Sequence, residues 1–314
     1  MHRKRRDNTN LNEDLPITKR RLEVLSALND FEYLTTEMLH LLVEAECGST
    51  HYGRFQNGLT SMRKIGGYVW CPEAQFESFN CDYKKLVYQL TDRGKRELVK
   101  HGIAVHAWLP RSQSFHHDWM TGHAVASLKL ESLKEPSLRF ISPEEILSRS
   151  GYVGNHPFKF PVKFAFNNQL VDIKNFAPDF APFGLEYTAG ETNHDFFVWE
   201  TDCDTGSIDP ESLKRSSIIQ KALAYRQLDT EDAFHKRFTI PNIHVCVVTV
   251  SESHKRAIMG MVKAVMGKSE TLLFKVVPHF RRLDFSPPPL AELWHTGWDR
   301  VGYEAFFFNQ PEES

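Results

Sequence analysis

The chain has 314 residues with a formal net charge of −2, 41% hydrophobic and 25% charged residues, and 23 phenylalanines, enough apolar material for a buried core and too much for a wholly disordered chain. Its near-neutral balance excludes a protein that coats nucleic acid over its entire surface. No run of about 18 apolar residues is present to span a bilayer, and the polar start MHRKRRDNTN has no apolar stretch behind it, so the expectation is a cytoplasmic protein without a signal peptide or membrane contact.

The length exceeds the ~100–200 residues of a typical domain, and the pattern divides into a basic arm (1–15), a helical unit (16–102), a linker (103–112), a larger α/β unit (113–282) and a packing tail (283–314). Residues 1–25 hold seven basic side chains (Arg3, Lys4, Arg5, Arg6, Lys19, Arg20, Arg21) against four acidic ones (Asp7, Glu13, Asp14, Glu23), a net of +3. Such an arm serves either as a solubilising tail or as a phosphate contact. From Pro16, the spacing of Ile17, Leu22, Leu25 and Leu28 predicts an amphipathic helix over 16–30. A second helix follows, with Thr35 or Thr36 as N-cap and Met38, Leu41 and Leu42 facing inward.

The third segment, HYGRFQNGLTSMRKIGG, repeats apolar residues at Tyr52, Phe55, Leu59 and Met62. Its other side presents Arg54, Gln56, Asn57, Ser61, Arg63 and Lys64 with no acidic residue, as a helix lying in a DNA major groove requires for phosphate and base-edge contacts. Gly66 and Gly67 supply a left-handed stop. The runs YVWC and KKLVYQL then predict a β-hairpin wing, with Lys84 and Lys85 at its loop end where a backbone phosphate would pass. A short helix capped by Thr91 or Asp92 closes the unit. Helix, helix, helix and hairpin in this order predict a winged helix-turn-helix.

After the linker, SFHHDWMTGHAVASLKLESLK predicts a long helix. FKFPVKFAF, IKNFAPDFAPFG, HDFFVWETD, NIHVCVVTVS and TLLFKVVPHF read as strands, with helices at 211–228 and 252–267, so the expected class is α+β or α/β with a mixed sheet flanked by helices. Five cysteines, Cys47, Cys71, Cys81, Cys203 and Cys246, lie scattered without a CxxC pair, which fits a reducing compartment. Cys71 and Cys81 flank the hairpin and could share a metal or a bridge, although no second ligand pair accompanies them. His116, His117 and His123 invite a metal reading, since His116 and His123 share a helical face, but with no carboxylate or cysteine at matching spacing all three read as packing histidines.

Pro178–Asp179 reads as the end of one strand, and Glu200, Thr201 and Asp202 follow the apolar run FFVW at the end of another. Carboxylates there can converge on Mg²⁺ or Mn²⁺, whose remaining ligands are waters and substrate phosphate. Asp179 and Glu200 supply the pair, and Asp202, two residues on and on the same strand face, joins it or binds a second ion. Lys221 and Tyr225, four apart, share one face of the following helix, with Lys214 and Arg215 ahead of them. A lysine reaching that site could orient and help deprotonate a water, or stabilise charge on a phosphorane-like transition state. The competing reading makes Asp179 a turn residue and Glu200 and Asp202 the cap of a solvated strand end.

The order strand-PD, strand with E-x-D and a T-G turn, then helix with K-x-x-x-Y, together with the winged helix ahead of it, resembles the replication-relaxation family of plasmid, phage and mobile-element proteins. The resemblance spans about residues 16–280. It implies a winged helix fused to a domain similar to the PD-(D/E)xK nucleases, with Asp179 as first metal-binding aspartate and Glu200 as second acid. Where that pattern expects lysine two residues after the second acid, this chain has Asp202, which makes Lys221 the migrated catalytic lysine or leaves the site without one. Two functions stay open: a Mg²⁺- or Mn²⁺-dependent deoxyribonuclease, and a non-catalytic DNA-binding regulator of replication, mobilisation or transcription. Expected partners are DNA and a protein of a replication, mobilisation or defence complex, with a second copy of the chain as a further partner.

Overall fold

The computed structural model describes residues 15–76, 86–106, 114–152, 154, 156–188, 193–203, 217–281 and 287–310. It is a mixed α+β protein, with N-terminal helices and a C-terminal mixed six-stranded sheet flanked by helices.

The N-terminal unit runs α1 (Lys19–Phe31), β1 (Leu34–Thr35), α2 (Thr36–Cys47), α3 (Tyr52–Lys64), β2 (Val69–Trp70), β3 (Val87–Leu90) and α4 (Asp92–Lys100). Helix α1 starts three residues later than Pro16 suggests, because the Thr18 hydroxyl accepts from the Arg21 amide and caps it. Thr35 caps α2 (3.1 Å to Met38 N) and Thr91 caps α4 (3.1 Å to Gly94 N). Phe55, Leu59 and Met62 turn α3 inward, whereas Tyr52, expected on that face, stays 37% exposed. Of the two glycines after α3, only Gly67 is left-handed (φ +60°). The three strands pair antiparallel in the order β1-β3-β2, with Leu34 opposite Tyr88 and Val69 opposite Leu90. Buried Gln75 braces this sheet, its amide donating to Pro72 O and Val87 O and its carbonyl accepting from Val87 N, each at 3.0 Å. Lys84 and Lys85 lie outside the described residues.

The second unit opens with α5 (Phe115–Ser132), then β4 (Leu138–Ile141), α6 (Pro143–Ser150), β5 (Phe160–Phe166), β6 (Gln169–Phe176), β7 (Phe180–Tyr187) and β8 (Asn193–Asp202). It continues through α7 (Ile218–Thr230), α8 (Ala233–Phe238), β9 (His244–Thr249), α9 (Glu252–Met266), β10 (Ser269–Val276), α10 (Glu292–His295) and β11 (Asp299–Val301). The sheet order is β11-β10-β9-β8-β7-β4, with β8, β9 and β10 parallel and the other neighbours antiparallel. Strand β8 is central and covered on both faces, so it reads as an unbroken apolar run, Phe196 to Trp199. The odd positions, Phe197 and Trp199, face α5 and the C-terminal aromatics Trp298 and Phe308; the even ones, Phe196 and Val198, face α7 and α9.

The run IKNFAPDFAPFG is two strands rather than one. β6 ends at Phe176 and β7 begins at Phe180, because Pro178 has no amide hydrogen for a ladder. Asp179 therefore precedes β7 instead of ending a strand. β5 and β6 form a separate hairpin, turned by Asn167 and Asn168 with φ of +47° and +61°.

The two units share one hydrophobic core. Leu25, Leu28, Phe31 and Leu39 belong to one buried cluster with Trp119 and Met120 of α5 and Phe180 and Phe183 of the sheet, and the Phe31 ring stacks on that of Phe180 at 6.0 Å. Helix α5 approaches so closely at Gly122 that a Cβ there would stand 2.2 Å from Phe31 O. Residues 103–106, at the start of the expected linker, are pinned by Asn29, which donates to Ala104 O (3.0 Å) and accepts from His106 N (3.1 Å). Among the described residues no helix is long and apolar enough to cross a membrane.

Candidate functional site

Antiparallel pairing of β7 with β8 sets the start of one beside the end of the other, so Asp179 and Glu200 share one end of the sheet. The Asp179 amide donates to Trp199 O at 3.0 Å and its carboxylate Oδ2 accepts from Thr201 N at 3.0 Å, which fixes the side chain over the end of β8. Glu200 continues the even-numbered face toward α7. That helix, capped by buried Ser217 (3.2 Å to Gln220 N), aims Lys221 and Tyr225 back at the strand ends.

The four side chains interlock. Lys221 Nζ donates to Asp179 Oδ1 at 2.9 Å and to Glu200 Oε2, while the Tyr225 hydroxyl donates to Glu200 Oε1. Only 1% of the Glu200 side chain is exposed, against 16% for Asp179 and 19% for Lys221. Such burial contradicts the reading of Glu200 as the cap of a solvated strand end. Asp202 shares its strand face but is drawn to α9, where His254 Nε2 lies 3.0 Å from its Oδ2. Lys214 and Arg215 fall outside the described residues.

One histidine expected only to pack joins the site instead. His117 of α5 reaches the site from the opposite face of the sheet, its Nε2 3.2 Å from Asp179 Oδ2 and 3.1 Å from Thr201 O, its Nδ1 3.4 Å from Asp118 Oδ1. One turn along the same helix face, Thr121 pairs with the Thr201 hydroxyl at 2.7 Å. The sequence signal was the His117/Thr121 spacing, hidden beside the more conspicuous His116 and His123. Those two meet backbone carbonyls, Phe280 O and Pro288 O, each at 3.0 Å, in keeping with packing roles.

Burial disfavours every charge here, and the partners decide which charges persist. For Asp179 burial acts upward, yet the Lys221 ammonium and the His117 ring outweigh it and hold the carboxyl far below its usual range. Burial and the Asp179 charge together push Glu200 up to about 8, against the pull of Lys221. Of the two acids, Glu200 therefore holds a proton more readily than Asp179. Burial opposes the charge on Lys221, but Asp179 and Glu200 keep its ammonium above the ordinary value. Burial likewise opposes a charged His117, and its bonds to Asp118 and Asp179 overcome that and raise it to about 10. Burial and Glu200 keep Tyr225 a protonated phenol.

Asp179 and Glu200 are oxygen donors close enough to share one ammonium, which fits the sparse carboxylate set that Mg²⁺ or Mn²⁺ takes when waters and phosphate complete its shell. No cluster of three His, Cys, Asp or Glu side chains suited to a metal occurs among the described residues, and Asp202 is engaged with His254. Cys71 is buried, and Cys81 lies outside the described residues.

On α3, Arg54, Gln56, Asn57 and Lys64 face solvent, and Ser61 is half-buried, its hydroxyl donating to Asn57 O at 3.0 Å. Arg63 turns inward, with Nη1 3.3 Å from Cys71 Sγ. No family model matches the chain, and no curated protein or solved structure is detectably similar to it.

Proposed function

We propose that this chain is a DNA-binding protein of the replication-relaxation type, whose N-terminal unit is a winged helix and whose second unit is a PD-(D/E)xK-like, Mg²⁺- or Mn²⁺-dependent deoxyribonuclease. The observation that carries the reading is the meeting of Asp179, Glu200, Lys221 and Tyr225, delivered by β7, β8 and α7 from points up to 46 residues apart (225 − 179) in the chain. The antiparallel β1-β3-β2 sheet, whose β2 and β3 follow α3, and the exposed Arg54, Gln56, Asn57 and Lys64, support the winged-helix half.

A bound divalent ion would supply Lewis-acid stabilisation of phosphoryl oxygens, held by Asp179 and Glu200. The chain's own groups divide the remaining work. Lys221 is a protonated ammonium, so it opposes charge growing on the phosphoryl group rather than removing a proton from water. Tyr225 orients Glu200 through Oε1, and His117 with the Thr201 amide orients Asp179 through Oδ2.

Purified protein incubated with supercoiled plasmid and Mg²⁺ or Mn²⁺ is expected to nick or linearise it, and Asp179→Ala and Glu200→Ala to abolish this. One observation favours the second reading, a non-catalytic regulator of replication, mobilisation or transcription that works with a protein partner or a second copy of the chain: every oxygen of the two carboxylates already accepts from a protein donor. Salt-sensitive DNA binding without cleavage would select it.

A further inference from the structure

Lys221 does more than stand near the two acids. Its Nζ touches one oxygen of each, Asp179 Oδ1 and Glu200 Oε2, and these inner oxygens are the pair a shared ion would bridge. The outer oxygens are committed elsewhere, Asp179 Oδ2 to His117 Nε2 and the Thr201 amide, and Glu200 Oε1 to the Tyr225 hydroxyl. The lysine is rooted in the first turn of α7, where its amide donates to Ser217 O at 3.0 Å. Its stem lies among Ile218, Ala222 and Val247, which line the same recess as Glu200.

A Mg²⁺ ion sits about 2.0–2.1 Å from its oxygens, so an ion bridging Oδ1 and Oε2 would occupy the point the ammonium now holds. Two cations cannot share that point, and the burial of the Glu200 side chain (1% exposed) leaves little solvent to screen one from the other. We infer that the Lys221 ammonium is the resident cation of the dyad and that a divalent ion enters only by displacing it. This inference rests on the nuclease reading for the identity of the ion. It adds that the lysine competes with the metal in the resting protein. Metal affinity is then set by a contest within the site, and a ligand that draws Lys221 outward, such as a DNA phosphate, promotes metal entry.

The test is Mn²⁺ binding to the full chain by calorimetry, for the native protein, Lys221→Met and Lys221→Arg. Methionine keeps an unbranched stem of similar length and removes the charge. The expected result is at least tenfold tighter Mn²⁺ binding to Lys221→Met, with Lys221→Arg no tighter than the native protein. If Lys221→Met leaves two uncompensated acids and does not fold alone, Mn²⁺ should restore its circular dichroism and its cooperative melt. Failure of Mn²⁺ to restore folding overturns the inference. Equal or weaker binding to a folded Lys221→Met also overturns it and leaves the nuclease reading standing. Absence of Mn²⁺ binding to all three proteins at millimolar concentration overturns both.

Discussion

The outer face of α3 and the sheet end at β7 and β8 are both built from charged and polar side chains, yet the first is exposed and the second is largely buried. Arg54, Gln56, Asn57 and Lys64 are exposed, so their charges cost little to keep and are available to a ligand. Asp179, Glu200, Lys221 and His117 are shielded, and each is stabilised chiefly by the others. A buried ion network of this kind contributes little net stability, but loss of one member leaves an uncompensated charge and costs about 3–5 kcal/mol. Substitutions at these four exposed α3 positions should therefore alter binding alone, and substitutions in the buried cluster should alter activity and stability together.

The largest expected effect is at Asp179. Asp179→Asn keeps the shape but withdraws the charge facing Lys221 and His117, and under the nuclease reading it should lower plasmid cleavage by ~10³-fold, about 4 kcal/mol. The same variant should lose about 3–5 kcal/mol in urea unfolding. Cleavage lost at unchanged stability would break the comparison, because the cluster would then not be an interlocked network.

The pH dependence of stability sharpens it further. Glu200 is raised from 4.5 to about 8, so the native state holds its proton more tightly than the unfolded chain. The stability this contributes is complete below pH 4.5 and is lost as pH rises through 8. His117, raised from 6.5 to about 10, behaves likewise, its contribution complete below 6.5 and lost as pH rises through 10. Asp179, lowered, contributes above its ordinary value of 3.8 and loses this as pH falls further. Stability should thus decline from about pH 5 toward 10, with a slope of up to ~1.4 kcal/mol per pH unit for each proton involved. In Glu200→Gln the fall between pH 5 and 8 should largely vanish, leaving the later one. Urea midpoints across that range read both, and an unchanged profile in the variant would sink the upward shift of Glu200.

The next effect concerns how the two regions are joined. The chain pattern suggests two domains and a linker, whereas α1, α2, α5 and the sheet bury one continuous core. Gly122→Ala would drive a methyl group against Phe31 O and should cost about 1–3 kcal/mol by overpacking. It should also split a single unfolding transition into two, as scanning calorimetry would reveal; a single unshifted transition would show that the two units are not coupled through this contact.

The helices and strands were legible where periodicity is strong. Leu25, Leu28, Phe55, Leu59 and Met62 lie inside as their spacing requires, and the apolar run ahead of Glu200 reads as a covered strand because β8 is covered. The meeting of Asp179, Glu200 and Lys221 was legible from strand ends and helix spacing, which are local properties. The break at Pro178 was missed because apolar residues continue on both sides of it. His117 was read as a packing histidine like His116 and His123 because its partner, Asp179, lies 62 residues away on another element, and only the packing of α5 across the sheet end brings them together. Asp202 was assigned to the site by its alternation with Glu200; alternation fixes a face but not the neighbour on it, and α9 supplies His254 there.

The smallest effects separate neighbours on α3. Arg54 and Lys64 are exposed and have the reach of phosphate contacts, so alanine at either should weaken DNA binding about equally across sequences and reduce the salt slope by about 1. Gln56 and Asn57, with amide groups suited to a base edge, should instead change sequence preference, by about 1–3 kcal/mol at one base pair. Arg63, formally the same kind of residue as Arg54, is directed at Cys71 in the protein interior. Arg63→Ala should leave the salt slope of binding unchanged and lower thermal stability slightly, through lost packing of the guanidinium stem. Fluorescence anisotropy with a labelled duplex at several salt concentrations resolves the two arginines. If Arg63→Ala flattens the salt dependence as much as Arg54→Ala does, the side chain leaves Cys71 when DNA binds, and the contrast between an open face and a closed site then fails at that residue.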